Sequence, residues 1–390
     1  MPDSVGAAPA IPLARWADRQ LRLLADETAS TEIAALSGAG LLSERAALNG
    51  FSIPARRSAG GKCHLLAARD GWIALNLARD SDRELLPALF TARMFDTADL
   101  GEIAELVYSC EAPALTARGR EMGLAIAAVD EANAGEAITQ LVAGQPAPPP
   151  SRPPLVLDLS ALWAGPLCGH LLQLAGAELV KVESRSRSDA LREGDPVFFA
   201  LLNGGKASLS VDLADSAVHA LIAKADIIIE AARPRALAQL GIDAGALVAA
   251  KPGKVWVTIT GHGACGEAAD WIGFGDDCGV AGGLTAALRE ASGVVGFVGD
   301  AIGDPLTSIS AAHAAWQAWS NGVGGRIGLS MSGVVAQALA EERAFDAELL
   351  RGELAAWGAA NGRAFAQITP RDLAGEVRPL GADDTRWLSC

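Results

Sequence analysis

The segment 156–183, VLDLSALWAGPLCGHLLQLAGAELVKVE, constrains the fold more than any other part of this chain of 390 residues. An apolar strand at Leu155–Leu159 is followed by the Gly165-Pro166 turn, a helix, and a second apolar strand at Glu178–Val182. This order predicts a βαβ unit of a doubly wound α/β domain. Because ligands of such domains lie outside the carboxyl ends of the strands, Trp163–Pro166 is the first candidate for a binding turn.

A proline-rich segment at 144–154, GQPAPPPSRPP, divides the chain into two parts of different pattern. Proline fixes φ and lacks an N–H donor, so we expect an extended linker there. Residues 1–143 are predicted to form a smaller α+β domain with a helical N-terminal part. Residues 155–345 alternate strands and helices, which indicates a mostly parallel, Rossmann-like α/β large domain. Residues 346–390 are predicted to be a helical segment and a tail.

The predicted strands of the large domain are runs of apolar residues, a pattern typical of strands covered on both faces of a sheet. In the smaller domain, the turn Asp70-Gly71 between two alternating runs predicts a β-hairpin. The predicted strands are 62–68, 71–77, 123–129, 155–159, 178–182, 207–211, 226–230 and 255–260. The predicted helices of the large domain are 166–176, 214–224, 234–240, 243–250 and 305–320.

Charge and cysteine content disfavour several classes of function. The formal net charge is -14, and a nucleic-acid binder needs a positive surface. The six cysteines and five histidines show no CxxC or HxxxH spacing, so we expect neither a metal site nor a disulfide framework. The N-terminal sequence lacks the pattern of a signal peptide, and no run of about 18 apolar residues predicts a membrane span. We therefore expect a cytoplasmic protein.

The sequence carries no P-loop or serine-hydrolase motif, and its glycine-rich segment at 273–275 is not a dinucleotide-binding turn. The sequence Gly273-Phe274-Gly275 is followed by two aspartates and does not form a GxGxxG between a strand and a helix. Neither a GxxxxGK[ST] nor a GxSxG is present. These observations disfavour a nicotinamide site, a P-loop and a serine hydrolase.

Aspartates near the start of a predicted helix remain as chemical candidates. Asp304 stands in Gly303-Asp304-Pro305, where proline suits the first helical position and an acid suits the positive field of the helix N-terminus. Its position is compatible with a helix N-cap and with a carboxylate nucleophile that flanking glycines leave accessible. Asp300 fits the second interpretation less well because it does not open a helix.

Eight segments of residues 155–340 resemble, in order, the large domain of the family III CoA-transferases, which include formyl-CoA transferase, carnitine CoA-transferase and the α-methylacyl-CoA racemases. No single segment is specific, but eight in the right order are. The segments are VLDLSALWAGP (156–166), GAELVKVE (176–183), FALLNGGKASLSVDL (199–213), ADIIIEAARPRALAQLGI (225–242), KVWVTITGHG (254–263), DWIGFGDDCGVAGGL (270–284), GDAIGDPLTS (299–308) and GGRIGLSMSGVVAQAL (324–339).

The remainder of the chain resembles other parts of the same family in a permuted order. DGWIALNLARDSDRELLPALF (70–90) and LTARGREMGLAIAAV (115–129) are similar to its small domain, and RPLGADDTRWL (378–388) is similar to its C-terminal tail. In the family the large domain comes first, whereas here the small-domain-like part precedes it. The resemblance also implies a homodimer of interlinked subunits, with each site between the large domain of one and the small domain of the other.

The resemblance implies an enzyme that transfers coenzyme A from an acyl-CoA to a carboxylic acid through an aspartyl-CoA thioester on Asp304. It implies no separate cofactor, because CoA is part of the substrate, and it places the chemistry at the far end of the domain from the turn 163–166. Gly282, Gly283 and Gly303 are the expected oxyanion donors. The implied CoA contacts are Trp163, Ala164, Ser184, Arg185, Val211, Asp212, Ala231, Arg233, Gly273 and Phe274.

Some of these positions depart from the family's pattern. Ser184 stands where an arginine is common, and Ala231 and Ala232 replace an amide and an aromatic ring. Gly275 or Phe274 stands where the racemases carry a histidine, which disfavours proton abstraction by a His/Asp pair. Two alternatives therefore stay open beside CoA transfer. The first is an acyl-CoA racemase or isomerase that uses Asp304 as a base, and the second is a non-catalytic CoA-transferase-like subunit.

Overall fold

The structure is a computed structural model that describes residues 8–91, 94–131, 135–232 and 234–388. The strands are β1 (Cys63–Ala67), β2 (Trp72–Asn76), β3 (Ala125–Ala128), β4 (Ile138–Ala143), β5 (Leu155–Asp158), β6 (Glu178–Ser184), β7 (Ala207–Val211), β8 (Ile227–Glu230), β9 (Val255–Thr260) and β10 (Gly325–Ser330).

The helices fill the intervals between these strands. They are α1 (Ala14–Thr28), α2 (Thr31–Ala34), α3 (Gly38–Leu48), α4 (Asp80–Phe90), α5 (Leu100–Tyr108), α6 (Ala112–Glu121), α7 (Ala164–Leu174), α8 (Leu191–Gly194), α9 (Pro196–Asn203), α10 (Ser216–Lys224), α11 (Pro234–Gln239), α12 (Ala244–Ala250), α13 (Gly275–Ala281), α14 (Leu284–Ser292), α15 (Gly303–Ser320), α16 (Met331–Ala359) and α17 (Asp384–Leu388). Among the described residues, no helix combines the length and apolar character that crossing a bilayer requires.

The large sheet has the strand order β4-β10-β9-β8-β5-β6-β7. From β10 to β7 all neighbours are parallel, and β4 pairs antiparallel with β10 at one edge. Every residue of β5 and β8 is buried, as their apolar runs predict. The predicted α/β fold with a mostly parallel sheet is confirmed, and the carboxyl ends of the parallel strands meet at one edge of the sheet, called here the carboxyl edge.

The five predicted strands of the large domain agree with β5 to β9 to within two residues. Two strands of this sheet were not predicted. β10 has the sequence GRIGLS, in which two glycines and an arginine interrupt the apolar pattern. Its pairing with β9 along the full length of both strands compensates for this weak local preference. β4 is an edge strand whose residues are partly or fully exposed, so its sequence lacks the apolar run that predicts a buried strand.

The structure differs from the predicted boundary at residue 143, because parts of the first segment pack with the large sheet. β4 lies in that sheet. Trp16 and Leu42, from the N-terminal helices, belong to the same buried cluster as Leu171 of α7 and Leu306 of α15. These helices bury their apolar faces against the large body because they have no sheet of their own to cover. At the other end, α16 crosses the predicted boundary at 345/346, with a local break at Asp346 (φ -158, ψ 88).

The small sheet has the antiparallel order β1-β2-β3, and β1 and β2 form the predicted hairpin. Its two faces are covered by different elements. One face packs on α4, α5 and α6 through Ile73 and Leu75. The other face packs on α13 through Leu65 and Ala74. This second contact brings the end of β2 to the helix that begins beside Asp304.

Candidate active site

Asp304 lies in the first turn of α15, directly against the turn that follows β5. Its carboxylate accepts a hydrogen bond from the backbone N–H of Ala164, the first residue of α7. The Ser308 hydroxyl lies 2.8 Å from the carbonyl oxygens of both Ala164 and Asp304. The turn 163–166 and Asp304 therefore share one site, and the expectation that they lie at opposite ends of the domain is wrong.

The interpretation of Asp304 as a helix N-cap is also wrong. α15 begins at Gly303, its N-cap is Ile302, and no side chain caps it. Asp304 is one residue further inside, and its carboxylate bonds the N-terminus of a neighbouring helix instead of its own. The carboxylate thus lies at the N-terminal ends of α7 and α15, where the helix dipoles favour a negative charge.

Two glycines, Gly275 and Gly303, allow close packing of the backbone around the carboxylate of Asp304. A Cβ atom at Gly275 would lie 2.1 Å from Asp304 Oδ2 and 2.3 Å from the carbonyl oxygen of Ala301. A Cβ atom at Gly303 would lie 3.0 Å from the carbonyl oxygen of Gly275. The first turns of α13 and α15 therefore meet backbone to backbone, and any side chain at position 275 would displace the acid.

Both turns that meet at Asp304 contain a non-glycine residue in the left-handed region, Leu162 (φ 67) and Ala301 (φ 43). A carboxylate holds each of them through its N–H. Leu162 donates to both oxygens of Asp189 at 3.2 Å, and Ala301 donates to Asp276 Oδ1 at 2.9 Å. Such conformations cost about 1–3 kcal/mol each and concentrate at functional sites. Leucine and alanine do not favour this conformation, so nothing in the sequence indicates it.

A buried network of two lysines and two aspartates holds the turn after β5 in place. Lys206 Nζ lies 3.0 Å from Asp158 Oδ2 and donates to the carbonyl of Pro166 at 2.8 Å. Lys181 Nζ lies 3.0 Å from Asp189 Oδ2, and Asp189 also holds the N–H of residue 162. The network thus fixes both sides of the turn that presents Ala164 to Asp304.

A guanidinium from the N-terminal segment pairs with an acid beside Asp304. Arg45 of α3 grips Asp300, with Nε 2.8 Å from Oδ2 and Nη2 2.5 Å from Oδ1. Its guanidinium carbon lies 4.8 Å from the centre of the Trp163 ring. Burial works against the Arg45 charge, but the Asp300 carboxylate outweighs it and raises the pKa of Arg45 above its ordinary value.

The acids of the site are shifted towards neutral pH. Burial raises the pKa of Asp304 to about 7, with Asp276 and Asp300 adding to the rise and Arg45 opposing it. Burial also raises the pKa of Asp276 to about 6 and that of Asp277 to about 7. A carboxylate with a pKa near 7 can act as a nucleophile or a base under physiological conditions.

We predict that Asp304→Asn stabilises the folded chain at alkaline pH. The folded pKa of about 7 exceeds the ordinary value of 3.8, so the contribution of Asp304 to stability is complete below about pH 3.8 and is lost as pH rises through about 7. One pKa unit corresponds to about 1.4 kcal/mol, and because the side chain is partly exposed we expect a gain of about 1–2 kcal/mol at pH 8 and none near pH 4.

Urea unfolding of Asp304→Asn and the wild-type chain at both pH values measures this gain. The exposed Glu193 provides the matched substitution, Glu193→Gln, which removes a surface carboxylate away from the site and is measured at the same two pH values. A gain of equal size for Asp304→Asn at pH 4 and pH 8 would contradict the raised pKa.

Comparison with known proteins identifies the segment that carries this site. The sequence profile of CoA-transferase family III matches residues 154–364, which include both Ala164 and Asp304. The chain belongs to CoA-transferase family III. Succinyl-CoA–D-citramalate CoA-transferase of Chloroflexus aurantiacus is 33% identical over 168 residues, which are 40% of this chain and 42% of that protein. Succinate–glutarate CoA-transferase of Agrobacterium fabrum is 30% identical over 219 residues, which are 50% of this chain and 55% of that protein.

The similarity to these proteins is confined to part of each. The chain spans about half the length of the curated relatives it matches. The crystal structure of a CAIB/BAIF family protein from Brucella suis aligns with a TM-score of 0.45 and 25% identity over 52% of this chain and 59% of that chain. The family resemblance that the motifs indicated is confirmed by the profile match.

In this family III chain, the predicted CoA contacts Trp163 and Ala164 lie next to Asp304. The indole of Trp163 is only 2% exposed and packs edge to face on Phe198, with ring centroids 4.9 Å apart. The Arg45 guanidinium lies over the same ring. Trp163 therefore supports the site from within the core.

A second group of predicted contacts lies where β6 and β7 end at the carboxyl edge. Ser184 pairs with Val211 in the parallel register. The N–H of Arg185 donates to the carbonyl of Val211 at 2.9 Å, and its Nε donates to the carbonyl of Ser210 at 3.1 Å. Arg185 and Asp212 are exposed, whereas Val211 is buried.

The remaining predicted contacts lie in two other loops at this edge. Gly273 and Phe274 immediately precede α13, so they adjoin the glycine that contacts Asp304. Ala231 follows β8 and is exposed. Arg233 lies outside the described residues.

The expected oxyanion donors at Gly282 and Gly283 are wrong. Their N–H groups donate to the carbonyls of Cys278 and Val280, both at 2.9 Å, and so complete the C-terminal turn of α13. Asp304 lies at the opposite end of that helix, beside Gly275.

Sequence reasoning missed two residues of the site, Arg45 and Asn76. Arg45 pairs with Asp300, and Asn76 Nδ2 donates to Asp277 Oδ1 at 2.8 Å. Both come from the segment before the proline-rich linker. They reach the site of their own chain, and no local motif signals either of them.

Proposed function

We propose that this chain transfers coenzyme A from an acyl-CoA thioester to a carboxylic acid, with Asp304 as the nucleophile. The observation that carries the proposal is the position of the Asp304 carboxylate at the N-termini of α7 and α15, against Gly275. The relatives' names support the same reaction class, since both are CoA-transferases.

The proposed reaction begins with attack of an Asp304 carboxylate oxygen on the thioester carbonyl. The carbon–sulfur bond breaks, CoA leaves as a thiolate, and an anhydride joins the acyl group to Asp304. The thiolate then attacks the aspartyl carbonyl, which releases the donor acid and forms an aspartyl-CoA thioester. The acceptor carboxylate then attacks the aspartyl-CoA thioester, which releases the CoA thiolate and forms a second anhydride. The thiolate attacks the acceptor's carbonyl carbon in this anhydride, which forms the new acyl-CoA and restores the free Asp304 carboxylate.

The electrostatic setting suits an acid that alternates between charged and neutral forms. Burial disfavours the free carboxylate, so its conversion to an anhydride or thioester removes a costly charge. The Ala164 N–H and the dipoles of two helices still favour the ionised form that attacks. We therefore expect the rate of transfer to rise with pH through about 7, as Asp304 ionises.

Trapping with hydroxylamine tests this proposal. The chain is incubated with acyl-CoA and hydroxylamine, digested, and analysed by mass spectrometry. We expect a hydroxamate on the peptide that contains Asp304, only when acyl-CoA is present and not in Asp304→Ala. A chain that exchanges labelled acid into acyl-CoA without any such hydroxamate would refute the aspartyl intermediate.

The exposed Arg185 is our proposed contact for a phosphate of CoA. It lies at the carboxyl edge, and its exposed guanidinium donates through Nε to the carbonyl of Ser210. We predict that Arg185→Ala weakens acyl-CoA binding by about 3- to 10-fold with little change in kcat, because an exposed charged contact contributes modestly.

Calorimetric titration with acyl-CoA and steady-state kinetics measure this effect. Arg386→Ala is the matched control, because Arg386 is also exposed but pairs with Glu178 at the amino end of β6. Equal affinities for the two variants would remove Arg185 from the CoA site.

A second candidate function is an isomerase or racemase acting on acyl-CoA. The raised pKa of Asp304 favours it, since a base with a pKa near 7 abstracts protons efficiently at neutral pH. Deuterium wash-in at the α-carbon without an acid acceptor would support this candidate over transfer. A chain that binds no acyl-CoA in calorimetry would instead support the non-catalytic subunit.

We also propose, from the family resemblance, that the chain is a cytoplasmic homodimer and needs only acyl-CoA and acid as substrates. Light scattering after size-exclusion chromatography tests the dimer. Because Arg45 and Asn76 complete the site from the same chain, we expect a dissociated monomer to retain the hydroxamate reaction.

A further inference from the structure

Three buried side chains, from the loop after β9 and from α13, lie close together. His262 follows β9, and Asp277 and Cys278 lie in α13. One atom from each, Nε2, Oδ2 and Sγ, lies within 4.8 Å of the other two. The Nε2–Oδ2 distance is 4.0 Å and the Sγ–Oδ2 distance is 3.9 Å. Around a tetrahedral ion with bonds of about 2.0–2.3 Å, donor atoms lie about 3.3–3.8 Å apart, so small side-chain movements would bring these atoms to coordination distance.

The imidazole of His262 is already set for ligation through Nε2. Its other ring nitrogen is hydrogen-bonded to the backbone carbonyl of Ile272, which places the proton there and leaves a lone pair on Nε2. The side chain is 3% exposed, and Nε2 has no hydrogen-bond partner among the described residues. A buried acceptor without a partner is costly. A metal-bound histidine normally donates its second N–H to such a carbonyl.

A glycine keeps the space between two of these atoms free. A Cβ atom at Gly273 would lie 2.5 Å from Cys278 Sγ and 3.0 Å from His262 Nε2. Any other residue at this position would fill the gap between the thiol and the imidazole. The backbone of Gly273 therefore forms one wall of the cluster without occupying it.

Asp277 is held so that one oxygen faces the cluster. Its Oδ1 accepts from Asn76 Nδ2 at 2.8 Å and from the N–H of Phe274 at 3.1 Å. Its Oδ2 lies 3.9 Å from Cys278 Sγ and 4.0 Å from His262 Nε2, and it accepts from the N–H of Phe274 at 3.3 Å. Hydrogen bonds of this kind orient a ligating carboxylate.

Arg120 is a positive charge close to the cluster. Its guanidinium forms an ion pair with Glu131 at 2.7 Å, which offsets that charge. Ligation requires Asp277 and Cys278 in their deprotonated forms, and the charge of a bound ion favours these forms.

We propose that His262 Nε2, Asp277 Oδ2 and Cys278 Sγ bind one divalent transition-metal ion of the zinc class, with water in a fourth position. An imidazole, a thiolate and a carboxylate favour such an ion over magnesium or calcium, which prefer oxygen ligands. The expectation that the chain has no metal site depended on spacing. The fold assembles these ligands from a strand end and a helix that no spacing motif connects.

Cobalt titration of the chelator-treated full chain tests the site, and its readout is independent of CoA transfer. We expect one Co²⁺ per chain, a thiolate-to-cobalt charge-transfer absorption, and displacement by Zn²⁺. His262→Gln, Asp277→Asn and Cys278→Ser should each weaken binding by more than about 100-fold, since removing even an outer-shell partner costs about 10- to 100-fold. Cys168→Ser and His170→Gln, a buried thiol and imidazole of α7, should bind as the wild type does.

Several outcomes would overturn the proposal. Substoichiometric cobalt binding would do so, as would a cobalt spectrum without a thiolate band or a Cys278→Ser variant with wild-type affinity. If the ligand variants do not fold, the wild-type chain still decides through its spectrum. Zinc titration in two buffers of different ionisation enthalpy at pH 7 adds a second measurement, because ligation by the Cys278 thiolate must release a proton. Zinc binding without proton release would also refute the proposed ligands.

Discussion

Replacing Asp304 with alanine is expected to lower the rate of CoA transfer by more than about 10⁴-fold, the scale of loss when a covalent nucleophile is removed. No other acid of the site can substitute for it. Asp300 is held by Arg45, Asp276 holds the N–H of Ala301, and Asp277 is bonded to Asn76. Exchange of isotopically labelled acid into acyl-CoA measures the rate.

Asp215→Asn is the matched control for this experiment. Asp215 also stands at the start of a helix, at the N-cap of α10, and its side chain makes no cap hydrogen bond. We expect wild-type exchange from it, because its exposed side chain has no hydrogen bond or ion pair to the turn after β5 within the described part of the chain. Full exchange by an Asp304→Ala variant that unfolds at the wild-type temperature would refute the hypothesis that Asp304 is the nucleophile.

The parts of the fold that the sequence predicted are those with a strong local signal. Strands β5 to β9 follow apolar runs, so their positions could be read within two residues. β10 could not, because its pairing with β9 and not its composition keeps it in the sheet. The same reason explains β4, whose partner β10 lies far along the chain. A pairing between distant segments leaves no periodic trace in either one.

The candidate site shows the same division between local and distant signals. Asp304 was predicted because its neighbours and its motif are local. Its hydrogen bond with Ala164 was not, since the two residues meet only through the packing of α15 on α7. The left-handed backbone at Leu162 and Ala301 is likewise imposed by the carboxylates that hold each N–H. Local propensity opposes these conformations, so only the assembled fold reveals them.

Arg45→Met is the second substitution for which we expect a large effect, a loss of stability of about 3–5 kcal/mol. Asp300 is fully buried, and its carboxylate is gripped by the Arg45 guanidinium through two nitrogens. Without Arg45, the Asp300 charge loses this partner in the core. The double variant Arg45→Met/Asp300→Asn removes both charges together, so it should recover most of the lost stability. Urea unfolding of the wild type, the two single variants and the double variant forms a complete cycle.

The same variants separate a role of Arg45 in the site from its role in stability. Arg45 lowers the pKa of Asp304, whereas Asp300 raises it. Arg45→Met should therefore move the midpoint of the pH–rate profile above that of the wild type. In the double variant the two effects oppose each other, so the midpoint should return towards that of the wild type. A stable double variant with the upward shift of Arg45→Met, or a single variant with no shift, would show that Arg45 supports the fold without tuning Asp304.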